Sequence, residues 1–314
     1  MVTPLRIVVF GTPEFAVPTL RALLASRHHV VGVVSQPDRP RGRGQKIEPT
    51  PVKAVASTAG LSVLQPERLK TPEFLDAFRA MQPDLGVVAA YGKILAPTVI
   101  AVPRLGLINV HASLLPKYRG AAPIQRAVMN GETETGVTIM RIVQELDAGA
   151  MFAKVAVPIG PEETAEEVER ALAAEGGRLL VDVVDQIASG TAREEPQDDR
   201  LATYAAKIAR DEGVVDWARP ALAIHNQVRG LTPWPRAWTH HDDTRMILVR
   251  TAVEDVAGGG APPGTVVEAS GERLVVQTGD GTLRILAIQP EGRRAMTARE
   301  FLAGRPFAAG ARLR

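Results

Sequence analysis

The chain contains no cysteine. It therefore forms no disulfide, offers no thiolate to a metal and has no cysteine nucleophile, and this fits a reducing cytosol. An excess of one charge sign is also nearly absent, because 37 Lys and Arg offset 35 Asp and Glu and leave a net charge of +2. The charge of the whole chain thus does not indicate a nucleic-acid-binding protein, and any such signal must be local.

Long apolar runs are missing as well. The N-terminal apolar run ends at Gly11 and is too short for a signal peptide, and no stretch approaches the ~18 apolar residues of a membrane span. We therefore expect a cytoplasmic protein without membrane contact. Its 45% hydrophobic and 23% charged residues are an ordinary globular composition, and 314 residues suggest about two domains.

The first part of the chain alternates strand-like and helix-like segments. One predicted helix carries Leu20 and Leu23 on a single face. A second predicted helix begins after Thr71-Pro72 and carries Phe74 and Phe78 on one face. The apolar runs typical of buried strands are Ile7–Phe10, Val30–Val34, Leu85–Ala90 and Gly106–Val110. This alternation predicts an open, Rossmann-like α/β sheet with right-handed crossovers. The first turn has no GxGxxG fingerprint, so such a sheet need not bind NAD.

The texture changes toward the C-terminus. Thr164 and Glu167 form a capping-box pattern that opens a long helix. A polar, proline-containing stretch follows at 191–204, and beyond it short apolar stretches alternate with Gly-rich turns. We predict a catalytic domain over 1–190, a linker over 191–204 and a small OB-like β-barrel domain over 205–314.

The most informative stretch is the fifteen-residue run from Asn109 to Pro123, which follows a strand of buried type. Functional residues of open α/β sheets cluster beyond the carboxyl ends of the strands. Asn109 and His111 point to the same side of an extended chain, so one can donate to an oxyanion while the other handles a proton. An isolated Asn-x-His pair is more often structural, with His111 as a hydrogen-bonded interior histidine and Ser113–Pro116 as an ordinary turn. The complete run, together with Asp147-Ala-Gly149, favours a functional site.

The string Asn-x-His-x-Ser-Leu-Leu-Pro-x-Tyr-Arg-Gly at 109–120 closely resembles the 10-formyltetrahydrofolate-dependent formyltransferases, which transfer a formyl group to an amine. The resemblance implies that Asn109, His111 and Asp147 are catalytic, that 10-formyltetrahydrofolate is the co-substrate, and that no metal is needed. It also implies a folate-binding set that combines the Ser-Leu-Leu-Pro segment with the end of an earlier strand: Ser113, Leu114, Leu115, Pro116, Val88, Ala90, Tyr91 and Gly92.

Three further regions bear on the amine acceptor. Phe10–Ala16, the stretch Gln36–Lys46 with Pro51–Lys53, and segments at 204–208, 215–217 and 226–235 resemble the bacterial branch of that family that formylates initiator methionyl-tRNA for translation initiation. The resemblance covers nearly the whole chain and becomes loose beyond about residue 290. A monomer is expected.

Two basic regions fit an RNA partner. Residues 36–53 hold five basic residues against two acidic ones, and residues 280–314 hold seven arginines against three acidic residues. Composition alone favours a solvated surface loop for the first region, whereas the resemblance implies that this loop enters the tRNA acceptor stem. The expected tRNA-binding residues are Arg39, Arg41, Arg43 and Lys46 in the loop, and Lys207 and Arg229 in the C-terminal domain.

Other functions stay open on the sequence alone. A formyltransferase for a nucleotide-sugar or ribonucleotide amine would keep the catalytic residues but leaves the basic loop unexplained. A noncatalytic RNA-binding protein and a hydrolase that releases formate from the folate are further alternatives. His240-His241-Asp242-Asp243 is interpreted as a polar loop, because adjacent side chains point in different directions and no second ligand set has suitable spacing.

Overall fold

The computed structural model describes residues 3–41, 46–254, 260–304 and 307–314. The chain divides into two compact units, and neither is one continuous piece of sequence. Unit 1 comprises Met1–Gly120, Glu134–Pro158 and Glu169–Ala205. Unit 2 comprises Ala121–Thr133, Ile159–Val168 and Ala206–Arg314.

The strands are numbered in chain order. They are β1 (Arg6–Gly11), β2 (His29–Val34), β3 (Arg39–Arg41), β4 (Lys46–Glu48), β5 (Val63–Leu64), β6 (Leu85–Ala89), β7 (Leu107–His111), β8 (Arg119–Gly120), β9 (Glu134–Arg141), β10 (Met151–Pro158), β11 (Tyr204–Ala205), β12 (Ala237–His241), β13 (Thr244–Glu254), β14 (Val266–Ser270), β15 (Arg273–Gln277), β16 (Thr282–Pro290) and β17 (Met296–Thr297).

The helices are numbered in the same way. They are α1 (Ala16–Ala25), α2 (Pro51–Thr58), α3 (Pro72–Ala80), α4 (Pro97–Ile100), α5 (Pro123–Met129), α6 (Ala165–Ser189), α7 (Ala221–Gly230) and α8 (Ala298–Gly304), with short 3-10 helices at Asp199–Leu201 and Asp211–Gly213. Among the residues that the structure describes, no helix is both long enough and apolar enough to cross a bilayer.

Unit 1 is built on one sheet with the strand order β10-β9-β7-β6-β1-β2-β5. Strands β7, β6, β1, β2 and β5 run parallel, while β9 and β10 add an antiparallel edge. The predicted open α/β sheet is confirmed, and the four predicted strands are found within one residue of their expected bounds. Its apolar runs are buried on both faces, as a parallel sheet covered by helices requires.

Local signals place the helices that cover this sheet. The Thr71 hydroxyl accepts a hydrogen bond from the Phe74 amide at 3.4 Å, and the rings of Phe74 and Phe78 are buried on the inner face of α3. At the start of α6 the Thr164 amide donates to Glu167 Oε2 at 2.8 Å, and the Glu167 amide donates to Thr164 Oγ1 at 3.3 Å. This reciprocal pair is the predicted capping box.

The segment read as a linker is part of unit 1. Met151 and Glu195 exchange two backbone hydrogen bonds of 2.8 Å. Further along, β11 pairs in parallel with β8. The polar composition of 191–204 thus describes its exposed side chains but not its backbone, which pairs with other parts of unit 1 at Glu195 and at Tyr204.

Unit 2 contains an antiparallel sheet in the order β12-β13-β16-β15-β14, with β17 paired to β16. Asp280-Gly281 lies in the turn between β15 and β16, where Gly281 takes a φ of +75°. Trp217 is buried in the core of this unit and donates from its indole to Thr239 Oγ1 at 3.0 Å. The predicted β-rich C-terminal domain is therefore confirmed, and its sheet is antiparallel.

Candidate active site

Asn109 is the middle residue of β7, and His111 is its last residue. Asn109 is in register with Val88 on the parallel neighbour β6 and with Met140 on the antiparallel neighbour β9. Its side chain is half-buried and makes no hydrogen bond to the part of the chain that the structure describes. The amide therefore remains available to donate to a ligand.

His111 is buried, with only 5% of its surface exposed. Its Nε2 lies 3.0 Å from the carbonyl oxygen of Tyr118. A carbonyl only accepts hydrogen bonds, so Nε2 carries a proton. The other ring nitrogen, Nδ1, faces Asp147 Oδ2 at 3.7 Å and is the position at which a proton can be gained or lost.

Asp147 reaches the same place from the loop after β9. Its backbone takes a φ of +49°, in the left-handed region that residues other than glycine rarely adopt. Its Oδ2 accepts a hydrogen bond of 2.9 Å from the Gly120 amide. The structure thus brings the predicted His111 and Asp147 together although they lie 36 positions apart, and Asn109 belongs to the same strand as His111.

The segment Ser113–Pro116 forms a turn that is closed from within. The Ser113 hydroxyl donates to the carbonyl of Lys117 at 2.6 Å, and the Ser113 carbonyl accepts from Thr138 Oγ1 at 2.7 Å. Ser113 and Leu115 are buried, whereas Leu114 and Pro116 are half-buried. Any direct side-chain contact with a ligand therefore falls to Leu114 and Pro116.

Residues 88–92, at the end of β6 and just after it, also include both buried and exposed positions. Val88 and Tyr91 are buried, and the Tyr91 ring packs edge-on against Phe10 with centroids 5.5 Å apart. Burial raises the pKa of Tyr91 to about 12. Ala90 and Gly92 are exposed and take φ values of +45° and +85°. Their backbone, rather than the tyrosine ring, is what this segment presents to a ligand.

Two short paired strands, β3 and β4, flank the basic loop and form a small hairpin. In it, β3 pairs with β4 through Arg39 opposite Glu48 and Arg41 opposite Lys46, and the Arg39 side chain is exposed. Arg43 lies outside the described residues.

The hairpin has an ordered base. Asp38 Oδ2 accepts from Lys53 Nζ at 2.5 Å, and Asp38 Oδ1 accepts from Gln65 Nε2 at 2.8 Å. Lys53 is therefore already neutralised by Asp38, and the positive charge that remains for a partner belongs to the hairpin itself.

The two residues predicted to hold tRNA in the C-terminal domain differ in position. Lys207 is exposed. Arg229 is only 6% exposed and donates from Nε to Asn226 Oδ1 at 2.8 Å and from Nη1 to the Glu163 carbonyl at 3.1 Å. A direct tRNA contact does not fit this position, because the guanidinium is committed to the interior of unit 2.

The arginines of 280–314 are partly neutralised by acids that lie outside that stretch. Arg284 pairs with Glu254 at 3.4 Å and Arg299 pairs with Glu272 at 3.0 Å. Arg293 and Arg312 are exposed and pair with no carboxylate within the described ranges. The basic surface of this unit is therefore smaller than the linear count of arginines indicates.

Residues 240–243 form the end of β12 and the turn into β13, with Asp242 at a φ of +50°. Over the residues described by the structure, no three His, Asp or Glu side chains are arranged to hold a metal ion.

Sequence reasoning missed two residues beside the candidate site. Arg119, which is 3% exposed, lies inside the recognised string but was given no role. Gln197 lies in the segment read as a linker, and its side chain reaches the Asp147 turn. The motif could have indicated Arg119, but no local signal distinguishes Gln197.

Two family models match the chain. The model described as formyl transferase matches residues 5–184, and that described as formyl transferase, C-terminal domain, matches residues 207–306. Solved structures of similar fold include WlaRD, a sugar 3N-formyl transferase crystallised with dTDP and 5-N-formyl-THF, at a TM-score of 0.69 and 17% identity over 93% of this chain and 100% of that one. HypX from Aquifex aeolicus in complex with tetrahydrofolic acid gives a TM-score of 0.64 at 17% identity, over 96% of this chain and 47% of that one.

Curated relatives are much more similar in sequence. The methionyl-tRNA formyltransferase of Moorella thermoacetica is 47% identical over 98% of both chains. The enzyme of the same name from Methylococcus capsulatus is 48% identical over 95% of this chain and 96% of its own length. The chain therefore belongs to the methionyl-tRNA formyltransferase family.

Proposed function

We propose that this chain transfers the formyl group of 10-formyltetrahydrofolate to the α-amino group of methionyl-tRNA. The observation that carries the proposal is that His111 Nδ1 and Asp147 Oδ2 lie 3.7 Å apart, with Asn109 two residues before His111 on the same strand. An amide donor and a proton-accepting pair are the groups that acyl transfer to an amine needs. Curated relatives with this activity in their names match over nearly the full length of the chain.

The residues near the site suit a folate. Leu114 and Pro116 present half-buried apolar surface, and the exposed backbone of Ala90 and Gly92 presents polar groups. A Cβ built on Gly92 meets no atom within 4 Å, so open space adjoins this turn. We infer that Leu114 and Pro116 contact the flat ring system, while Val88, Ser113, Leu115 and Tyr91 shape the wall from behind. The bound folate supplies an electrophilic formyl carbon.

Asn109 stabilises the transfer electrostatically. Its side-chain amide donates to the formyl oxygen, on which negative charge grows as the amine attacks. The loss of one such donor typically raises the barrier by about 2.7–4 kcal/mol. Because the amide has no partner among the described side chains, no internal hydrogen bond must break before it acts.

As the amine nitrogen bonds to the formyl carbon, the bond between that carbon and N10 of the folate breaks, and tetrahydrofolate leaves. His111 and Asp147 take up the proton that the amine loses, and this proton is then available to N10 of the leaving folate. The Tyr118 carbonyl keeps a proton on Nε2, so Nδ1 is the nitrogen that can accept the proton, and Asp147 Oδ2 lies 3.7 Å from it. The carboxylate stabilises an imidazolium as that proton arrives. No metal has a part in these steps, because a neutral amine is already a competent nucleophile.

The β3–β4 hairpin is the region that we assign to the tRNA acceptor stem. Arg39 and, by resemblance, Arg41, Arg43 and Lys46 supply positive charge there, and the Lys53–Asp38 bond lies at the base of the hairpin. Phosphate contacts of this kind position the RNA and carry little base information. In unit 2 the exposed Lys207 is assigned to the RNA body.

We further infer that the chain acts as a monomer in the bacterial cytoplasm, where charged tRNA is used. Sedimentation equilibrium of the purified chain tests the first statement, and cell fractionation tests the second.

The decisive experiment mixes the purified chain with 10-formyltetrahydrofolate and charged initiator or elongator methionyl-tRNA, and measures formylmethionine on each. We expect formylation of the initiator, and a loss of about 100-fold or more in single-turnover rate for Asn109→Ala and for His111→Ala with tRNA binding retained. Arg219→Ala is the control, because its exposed side chain makes no hydrogen bond within the described ranges. Formylation of a dTDP-amino sugar instead of the tRNA, or release of free formate, would replace this proposal with one of the other two activities.

A further inference from the structure

The segment 191–205 approaches the candidate active site through Gln197. This side chain donates from Nε2 to the carbonyl oxygens of Asp147 and Gly149, each at 2.8 Å. Its Oε1 accepts from Nε and Nη2 of Arg119 at 3.0 and 2.8 Å. Because carbonyls only accept and guanidinium only donates, the orientation of the amide is determined.

Arg119 anchors this contact. Its side chain is 4% exposed and places two of its nitrogens on one oxygen of Gln197. A further bond of 2.7 Å runs to Asp199, whose side chain is 80% exposed. Exposed ion pairs contribute little, so the bonds between Arg119 and Gln197 are the ones that fix the amide.

The turn that Gln197 holds is strained. Asp147 has a φ of +49°, in the left-handed region that residues other than glycine rarely adopt. Gly149 lies so close to the backbone of Arg141 that an added Cβ would collide with the Arg141 carbonyl oxygen. Such a conformation persists only where the surroundings over-determine it. Two hydrogen bonds from a single side chain to carbonyls on both sides of Ala148 meet that need.

The position of this turn affects the candidate catalytic residues through one atom, Asp147 Oδ2. Asp147 Oδ2 is aimed by the Gly120 amide at 2.9 Å and lies 3.7 Å from His111 Nδ1. A displacement of the turn by 1 Å would break the first contact and change the second. We propose that Gln197 is a positioning residue that fixes the Asp147 carboxylate against His111, with Arg119 as its anchor.

The inference rests on the proposed function and is tested within it. Gln197→Glu keeps an acceptor for Arg119 but replaces the donating nitrogen by an oxygen that faces two carbonyls. We expect kcat for methionyl-tRNA formylation to fall about 10–100-fold, with KM for both substrates within about threefold of wild type. The matched control is Gln289→Glu, because Gln289 also links an arginine to a carbonyl: its Oε1 accepts from Arg236 at 3.0 Å and its Nε2 donates to Arg293 at 2.9 Å.

A double-mutant cycle with Asp147→Asn separates positioning from general damage to the fold. If Gln197 acts through the carboxylate, Gln197→Glu costs less than about threefold in the Asp147→Asn background. Equal losses in both backgrounds would overturn the inference, as would a Gln197→Glu variant with wild-type kcat. Gln197→Ala, which removes the hydrogen bonds to Arg119 and to the two carbonyls, is used if the glutamate variant is poorly folded. A wild-type chain without formylation would instead count against the proposed function itself.

Discussion

Arg229→Ala should lower the free energy of unfolding of unit 2 without weakening the binding of tRNA. The guanidinium is 6% exposed and donates to the carbonyl of Glu163, to that of Gly160 at 3.4 Å and to the Asn226 side chain. Burial lowers the pKa of Arg229, although the nearby charges of Glu162 and Glu163 act in the opposite direction. The group stays charged, so its removal strands acceptors that were paired with a cation.

The magnitude follows from those contacts. A hydrogen bond to a charged group contributes about 1.5–3 kcal/mol, and breaking a buried charged network typically costs about 3–5 kcal/mol. We expect the free energy of unfolding of unit 2 to fall by about 3–5 kcal/mol in Arg229→Ala. Arg229→Lys should lose less free energy of unfolding, because lysine keeps the positive charge. Some loss remains, because lysine cannot donate to several acceptors at once in the planar geometry of the guanidinium.

The chain offers a direct assay. All three tryptophans, Trp217, Trp234 and Trp238, lie in unit 2, so intrinsic fluorescence during urea titration reports the unfolding of that unit. Arg219→Ala serves as the surface control and should stay within about 0.5 kcal/mol of wild type. A loss of stability below about 1 kcal/mol, combined with a raised KM for methionyl-tRNA, would refute the structural role and restore Arg229 as an RNA contact.

Two further changes test unit 1. The Tyr91 hydroxyl is buried with no hydrogen-bond partner among the described residues, so Tyr91→Phe should leave the free energy of unfolding unchanged or raise it by up to about 2 kcal/mol in thermal denaturation; a marked loss would reveal a partner for the hydroxyl. Partial burial raises the pKa of Asp38, but hydrogen bonds from Lys53 and Gln65 more than offset this and hold it below its usual value. The Asp38 carboxylate therefore stabilises the fold above its unfolded pKa of about 4, and this contribution disappears as the pH falls through the lower folded pKa. Wild type should lose its stability advantage over Asp38→Asn on acid titration, and an advantage that does not change with pH would contradict the ion pair.

The parts of the fold that sequence predicts well are those encoded locally. The burial of four apolar runs, the cap at Thr71 and the reciprocal bonds between Thr164 and Glu167 each depend on residues close together in the chain. Asn109 and His111 share one strand, so their common side follows from the two-residue period of a strand. The family string supplies what periodicity cannot, namely the pairing of His111 with the distant Asp147.

What sequence did not predict depends on partners that are remote in the chain. The composition of 191–204 is that of a linker, yet Gln197 hydrogen-bonds to a turn about 50 positions earlier. The sequence does not distinguish a polar side chain that faces solvent from one that donates to the backbone carbonyls of a distant turn. Arg229 shows the converse, since a cation in a helix reads as surface charge while its actual partners are 66 and 69 positions away.

Charge counting along the chain overstates the basic surface for the same physical reason. Antiparallel pairing sets Arg284 on β16 opposite Ala252 on β13, and Glu254 at the end of β13 is near enough to pair with it. Arg299 in α8 pairs with Glu272 just before β15. An exposed charge pair contributes little to stability, but it removes positive potential that phosphates would otherwise meet. On the proposed function, the attraction of RNA to unit 2 therefore depends on arginines such as Arg293 and Arg312, which pair with no carboxylate among the described residues, rather than on the total number of arginines. Neutralising either one should lower the salt dependence of tRNA binding more than neutralising Arg299 does.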